Sequence, residues 1–340
     1  MSNCILITGG SGYIGSHTII ELFNKGFEVV SVDNQSNSSI NAYESVKKIT
    51  GKEVKNYTID LCDLNATREV FKNHQFTGII HFAAYKAVGE SVEEPLKYYH
   101  NNIASLVNIL ALSKEFGVKN LIFSSSCSVY GNVEKLPVDE NTPLPKAESP
   151  YAYTKQIGEV MIQDFCKVNQ EFNAIALRYF NPVGAHPSGL NGESPINKPN
   201  NLVPIRTGVA IGKMAQLTVY GGDYPTRDGT CVRDYIHVSD IANAHVLAMG
   251  YLIHQKNSSN YDVFNLGTGN GVSVLEAIYA FEKVSGQKLN YKIGPRREGD
   301  VIAVYSDSAK VFKALNWQCE HDIESMMDTA WKWEKSMANS

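Results

Sequence analysis

The sequence has little that would place it among disulfide scaffolds, metalloproteins or membrane proteins. Its six cysteines, Cys4, Cys62, Cys127, Cys166, Cys231 and Cys319, include no C-x-x-C pair, and no histidine cluster has zinc-ligand spacing. Disulfide and metal readings both fall, and no metal site is expected. No stretch approaches 18 apolar residues. Cys4 to Thr8 runs straight from a strand-like segment into glycine, without the basic segment and apolar run of a leader peptide. The expectation is a cytoplasmic protein with reduced thiols and no membrane partner. A basic surplus is also missing, since the formal net charge is -4. That argues against nucleic acid as a partner, because such proteins usually present a basic face. Phosphate recognition, if present, should be local.

What is present reads as an ordinary globular enzyme. Charged residues are 19% and hydrophobic residues 43% of 340, a length suited to about two domains at roughly 100 to 200 residues each. Short β-branched runs at Ile5 to Thr8, Val29 to Val32, Gly78 to Ala83, Leu121 to Ser125 and Ala174 to Tyr179 alternate with amphipathic segments. Such alternation predicts right-handed βαβ units, hence an α/β fold with a Rossmann-type doubly wound parallel sheet. After Asn181 the chain turns rich in Pro, Gly and Asn. Residues 1–180 are therefore expected to form a dinucleotide-binding domain and 181–340 a smaller mixed α/β substrate lobe. The segments Asp234 to Met249 and Tyr261 to Leu266, near residues 234–266, read as helix then strand and are candidates to return to the first domain.

Thr8-Gly9-Gly10-Ser11-Gly12-Tyr13-Ile14-Gly15 follows the first strand and opens a predicted helix. Glycines at this junction allow a tight turn, close backbone approach to a pyrophosphate and close helix packing. The second strand ends in Val32-Asp33, close to the expected spacing of about 20 residues. Asp33 would accept hydrogen bonds from ribose hydroxyls and repel a 2′-phosphate, so NAD is expected rather than NADP.

Further on, the strand at Leu121 to Phe123 runs into Ser124-Ser125-Ser126, and a helix is predicted to begin at Pro150. Tyr151 and Lys155 lie four apart and share a helix face. A lysine ammonium beside a phenol, with the cationic nicotinamide ring, is expected to lower the tyrosine pKa and make Tyr151 a general base. Ser126 would relay or anchor the substrate proton. The spacing Y-x-x-x-K alone is common; joined to the glycine loop and the serine strand end it becomes specific.

With these motifs the chain resembles, over nearly its whole length, the extended short-chain dehydrogenase/reductase family and within it the UDP-hexose 4-epimerases. The resemblance also rests on His81-Phe82-Ala83-Ala84-Tyr85-Lys86-Ala87-Val88-Gly89-Glu90-Ser91, Tyr98-Tyr99-His100-Asn101-Asn102, Arg178-Tyr179-Phe180-Asn181-Pro182-Val183-Gly184-Ala185, Pro199-Asn200-Asn201-Leu202 and Arg233-Asp234-Tyr235-Ile236-His237-Val238. It implies cofactor contacts at Gly9, Gly12, Tyr13, Ile14, Gly15, Asp33, Asn34, Asp60, Leu61, Phe82, Lys86, Asn101, Tyr151, Lys155 and Phe180. Substrate contacts are implied at Ser126, Tyr151, Asn181, Asn201, Leu202, Tyr220, Arg233, Arg297, Asp300 and Val304. Arg233 and Arg297 would fork onto the two UDP phosphates.

The activity so implied is reversible, redox-neutral inversion of UDP-glucose and UDP-galactose at C4, through a 4-keto sugar and a tightly held NAD. It serves galactose metabolism and nucleotide-sugar supply. Family members with a tyrosine at the position of Val304 exclude a 2-acetamido group and those with a small residue admit it, so N-acetylhexosamine forms are expected to enter as well, unless a one-residue slip puts Tyr305 at the gate. Two departures occur: Ala84-Tyr85 stands where many relatives have Gly-Leu, and Cys127-Ser128 where many have Ala-Thr. Related dehydratases carry Asp-Glu immediately before Val-Tyr-Gly, so the second departure argues against water elimination. A cofactor-binding regulator without activity would not need Ser126, Tyr151 and Lys155 together. A 4-epimerase acting mainly on another UDP sugar remains the alternative. Apolar residues on more than one side of the helices near Pro95 to Phe116 and after Tyr151 need a partner, and the resemblance implies a four-helix homodimer contact.

Overall fold

A computed structural model of the chain describes residues 3–194, 216–296 and 301–338. The first half is strand and helix in alternation: β1 (Cys4–Thr8), α1 (Tyr13–Asn24), β2 (Glu28–Val32), α2 (Asn41–Thr50), β3 (Lys55–Tyr57), α3 (Leu64–Asn73), β4 (Gly78–His81), α4 (Val88–Glu93), α5 (Pro95–Phe116), β5 (Asn120–Ser126), α6 (Pro150–Val168) and β6 (Asn173–Tyr179). Beyond them come β7 (Asn181–Val183), β8 (Leu217–Tyr220), β9 (Val232–His237), α7 (Val238–Ile253), β10 (Tyr261–Leu266), β11 (Gly271–Ser273), α8 (Val274–Ser285), β12 (Tyr291–Gly294), β13 (Ala303–Val304), α9 (Ala309–Leu315) and α10 (Ile323–Ala338).

Seven parallel strands in the order β10-β6-β5-β4-β1-β2-β3 make the central sheet. Side chains alternate across the pleat, and both faces must be covered because both are apolar. Ile5, Ile7, Ile80, Ile122 and Ile175 pack under Ile19, Ile20 and Leu22 of α1 and Ile241, Met249 and Leu252 of α7. Leu6, Ile79, Leu121, Phe123 and Ala176 pack under Val70 and Phe71 of α3, Leu106 and Ile109 of α5, and Ile162 of α6. The doubly wound sheet is thus the one expected, and β10 occupies its edge beyond β6.

Two features differ from the reading of the sequence. The edge strand β3 has three residues, half-buried or exposed, and lacks an apolar run to announce it. The segment from Asp234 was expected to start as helix, but Val232–His237 is a strand, and the helix begins one residue later at Val238. His237 caps it, Nδ1 accepting from Ser239 N at 3.0 Å. β9 anchors the smaller lobe, pairing with β7, β11 and β13. A separate core there holds Val183, Leu217, Tyr235, Phe281, Met327 and Trp331.

Candidate active site

Strand order reverses between β1 and β4, so their outgoing chains diverge to opposite faces and leave a crevice at the carboxyl ends. Gly9 leaves β1 at φ +73°, and a Cβ on it would come within 2.8 Å of Ala83 N, on the chain leaving β4. Gly15 lies against the same turn, where a Cβ would sit 2.3 Å from Gly9 O. Only glycine permits this close approach. The helix behind it, α1, starts at Gly12 with no side-chain cap and no acidic residue in its first turn. Its amides and positive end are therefore suited to an anion in the crevice.

Asp33 follows β2 on the adjacent rim. Ser11 N donates to its Oδ2 at 3.0 Å, and Gln35 N and Ser38 Oγ donate to Oδ1 at 2.8 and 3.2 Å. The carboxylate is thereby fixed beside the glycine loop, with lone pairs left for ribose hydroxyls. These residues fit a dinucleotide by chemistry as well as by shape.

The crevice continues past β4 and β5 into the smaller lobe as one cavity of about 1810 Å³, wider than the roughly 300 to 1,000 Å³ typical of a single small-molecule site. Its walls bring together Gly9, Gly12, Tyr13, Ile14, Gly15, Asp33 and Asn34 at one end, and Asp60, Leu61, Phe82, Lys86, Asn101 and Phe180 along the middle. Ser126, Tyr151, Lys155, Asn181, Tyr220, Arg233 and Val304 complete it. Of the residues nominated from sequence, Asn201, Leu202, Arg297 and Asp300 lie outside the described residues.

Tyr151 and Lys155 occupy the first turns of α6, which Ser149 caps by accepting from Ala152 N at 3.2 Å. Pro150 fits the first helical position, where no amide partner is needed. Lys155 is buried and donates from Nζ to Ser124 O at 2.7 Å, with Nζ 5.0 Å from the Phe123 ring centre and 5.9 Å from that of Tyr151. Burial pushes its pKa down to about 8, against a raising pull from Glu159.

The expected lowering of the Tyr151 pKa is not found in the protein alone. Burial raises it to about 12, and hydrogen bonding to Ser126 only partly offsets this. The reason is geometric: the lysine ammonium is drawn to the Ser124 carbonyl instead of pairing with the phenol, and a buried phenolate without a cation at hand is costly. Lys86 also has a partner the sequence did not suggest, Glu193 at 3.2 Å across the cleft. Glu193 is in turn held by Trp333 Nε1, which donates to its backbone O at 3.1 Å.

Sequence reasoning missed Ser11, Ser38, Tyr179, Glu193 and Trp333, all on the cavity wall. Ser124 and Tyr179 share a hydroxyl hydrogen bond beneath the lysine. Tyr179 sits in the quoted Arg-Tyr-Phe-Asn run and was within reach; Glu193 and Trp333 carry no local signal. Val304 pairs with Arg233 in the β13–β9 register and packs with Val129, Tyr130, Val138 and Phe180. Its neighbour Tyr305 turns toward Gly271 and does not line the cavity.

A parallel doubly wound sheet whose switch-point crevice holds a glycine loop, a fixed carboxylate and a tyrosine one helical turn from a buried lysine defines a Rossmann-type protein of the short-chain dehydrogenase class. Residues 5–267 match the model of the NAD dependent epimerase/dehydratase family, and the chain belongs to that family. It is 49% identical over 335 residues to the UDP-glucose 4-epimerase of Bacillus subtilis (strain 168), covering 98% of each chain. Among solved structures it resembles the UDP-glucose 4-epimerase of Bifidobacterium longum in complex with NAD+ and UDP, with a TM-score of 0.95, 46% identity and 99% of each chain covered. It is similar too to that of Stenotrophomonas maltophila with bound NAD and formylated UDP-arabinopyranose, with a TM-score of 0.95, 42% identity and 98% of each chain covered. Among the described residues, no helix is long and apolar enough to cross a membrane.

Proposed function

We propose that the protein interconverts UDP-glucose and UDP-galactose by inverting C4 of the hexose while UDP stays bound. The observation that carries this reading is that the Tyr151, Lys155 and Ser126 trio opens into the same cavity as the Asp33 and glycine-loop site. NAD, when bound, supplies a reversible hydride acceptor for the sugar carbon.

The chain's own residues do the rest. Tyr151 takes the proton of the C4 hydroxyl and later returns it, with Ser126 bonded to the phenol. Lys155 holds positive charge beside them, anchored on Ser124 O. Arg233, on the far wall, suits the UDP phosphates. A sugar that must present both faces needs a firm grip on the nucleotide and a loose one on the hexose. Val304 lines the cavity with a side chain shorter than tyrosine, whereas Tyr305 packs elsewhere. That supports acceptance of the UDP-N-acetylhexosamines as well.

The wider assignments belong to the same reading. Residues 1–180 are assigned to the NAD-binding domain together with Val238–Ile253 and Tyr261–Leu266 of the segment near 234–266, and the remainder of 181–340 to the UDP-sugar lobe. Leu96 and Val107 on α5 and Tyr153 and Val160 on α6 are exposed apolar residues suited to a helix-paired homodimer. A cytoplasmic location agrees with the unpaired cysteines.

The test is incubation of purified protein with UDP-glucose, UDP-galactose and their N-acetyl counterparts, with chromatographic separation of products. Interconversion of each C4 pair is expected. Absence of conversion of UDP-galactose, in protein that releases NAD on denaturation, would overturn the reading.

A further inference from the structure

Beneath the catalytic face of α6 lies a charged pair that the reaction as described does not use. Glu159, one turn beyond Lys155, and Arg178 of β6 are both nearly inaccessible, at 5% and 4% exposure. Arg178 grips the carboxylate with two bonds, Nε to Oε1 at 2.9 Å and Nη2 to Oε2 at 2.6 Å. Ser125 Oγ donates to Oε1 at 2.5 Å. In the sheet register Ser125 stands opposite Arg178, so one carboxylate ties the helix to two adjacent strands. The residues on either side of Ser125 are Ser124, whose carbonyl holds Lys155, and Ser126, bonded to Tyr151. Arg178 Nη1 also donates to Tyr130 OH at 3.0 Å, and that hydroxyl donates to Asn265 Oδ1 at 2.7 Å, carrying the network to β10.

A buried ion pair is weak evidence for stability, because desolvating two charges offsets most of their attraction. An apolar pair would fill the same space. The feature that an apolar pair cannot reproduce is a fixed negative charge one helical turn from a buried ammonium. The titratable and charged groups around Lys155 are Tyr151 and Glu159 from its own helix, His81 from β4, and Arg178 and Tyr179 from β6. His81 is held neutral, its pKa pushed down to about 3 by burial and then by Lys155. Glu159 is thus the anion that favours the charged lysine.

We infer that Glu159, seated by Arg178, is a positioning residue for the reaction: it fixes the Ser124–Ser126 strand end against α6 and keeps Lys155 an ammonium. The inference rests on the assignment of Tyr151 and Lys155 to proton transfer.

The test is kcat and KM for UDP-galactose between pH 6 and 10 in NAD-loaded protein. Wild type would be compared with Glu159→Gln, Glu159→Asp and the double variant Glu159→Leu/Arg178→Leu. Loss of the anion is expected to move the alkaline limb down by about one pH unit, the size expected of a nearby opposite charge. At pH 8, the pKa of Lys155 itself, kcat then falls about 5-fold, approaching about 10-fold at higher pH, with KM changed less than about threefold. Glu159→Asp, which keeps the charge, should keep the wild-type limb. Glu159→Gln leaves Arg178 buried and unpaired and can fail to fold; the double variant removes both charges and then decides. A limb superimposable on wild type in either folded variant would make Glu159 merely structural and overturn the inference. Wild-type turnover by Lys155→Ala would instead overturn the assignment beneath it.

Discussion

Replacing Tyr151 with Phe removes one hydroxyl and leaves the ring in place at the start of α6. With the phenol pKa raised to about 12 by burial, ionising it at pH 7 costs about 7 kcal/mol at 1.36 kcal/mol per unit. A working phenolate therefore exists only when positive charge gathers beside it, and Lys155 and the cofactor ring are the sources available. Phe has no proton to exchange however that charge is arranged. The variant should lose roughly 100- to 10,000-fold in kcat, the range for a positioned general base, with cofactor retention and KM close to wild type. A pH profile adds the sign. Once the cofactor ring and Lys155 bring the phenol pKa below that of the lysine, raising the pH first ionises Tyr151 and increases turnover, and above about 8 it discharges Lys155 and lowers turnover, giving a bell. In Tyr151→Phe the acidic limb should vanish. The assay is steady-state conversion of UDP-galactose across pH, with NAD released by denaturation as the control for binding. Turnover within about threefold of wild type, in a variant holding a full complement of cofactor, would refute the role.

Three other outcomes are expected. Asp33→Ala should narrow the preference for NAD over NADP by about 10-fold or more, measured by equilibrium dialysis, because the carboxylate that repels a 2′-phosphate is gone while Lys48 remains on the same cavity wall. An unchanged preference would remove Asp33 from the argument. Gly15→Ala places a Cβ 2.3 Å from Gly9 O, so the loop must shift; NAD affinity should drop about 10-fold or more, equivalent to about 1.4 kcal/mol. Wild type should turn over UDP-N-acetylgalactosamine, and Val304→Tyr should lower kcat/KM for it relative to UDP-galactose by at least about 10-fold. Rejection of N-acetyl sugars by wild type, or an unchanged ratio in the variant, would contradict the steric gate.

The sheet was legible because its signals are local. Fully buried parallel strands must be apolar on both faces, so Ile5 to Thr8, Leu121 to Ser125 and Ala174 to Tyr179 stand out as continuous β-branched or apolar runs, and each is a strand within one or two residues. The edge strand Lys55–Tyr57 sets Tyr57 alone against a core and shows no such run. At Val232–His237 the charged pair Arg233-Asp234 obscured the strand. The burial of Asp234 becomes intelligible through Thr268 and Ser306, whose backbone and hydroxyl groups donate to its carboxylate from 34 and 72 residues away, and through the amide of Gly269.

The site divides along the same line. Glycine spacing, the carboxylate at the end of β2 and the four-residue step from Tyr151 to Lys155 are set by turn and helix geometry, so they can be read from a few neighbouring letters. The charge state of that pair cannot be, because it depends on which groups the fold brings from elsewhere. Ser124 arrives from 31 residues away and takes the lysine ammonium. Arg178, 19 residues from Glu159, fixes the carboxylate one turn below it. Glu193 comes from 107 residues away to meet Lys86. The motif Tyr-x-x-x-Lys on its own therefore specifies two side chains on one helix face, and a basic phenol is a property of the surrounding sheet end. A second chain with the same motif but no anion at the position of Glu159 would place the same two residues alike and hold the lysine less firmly charged.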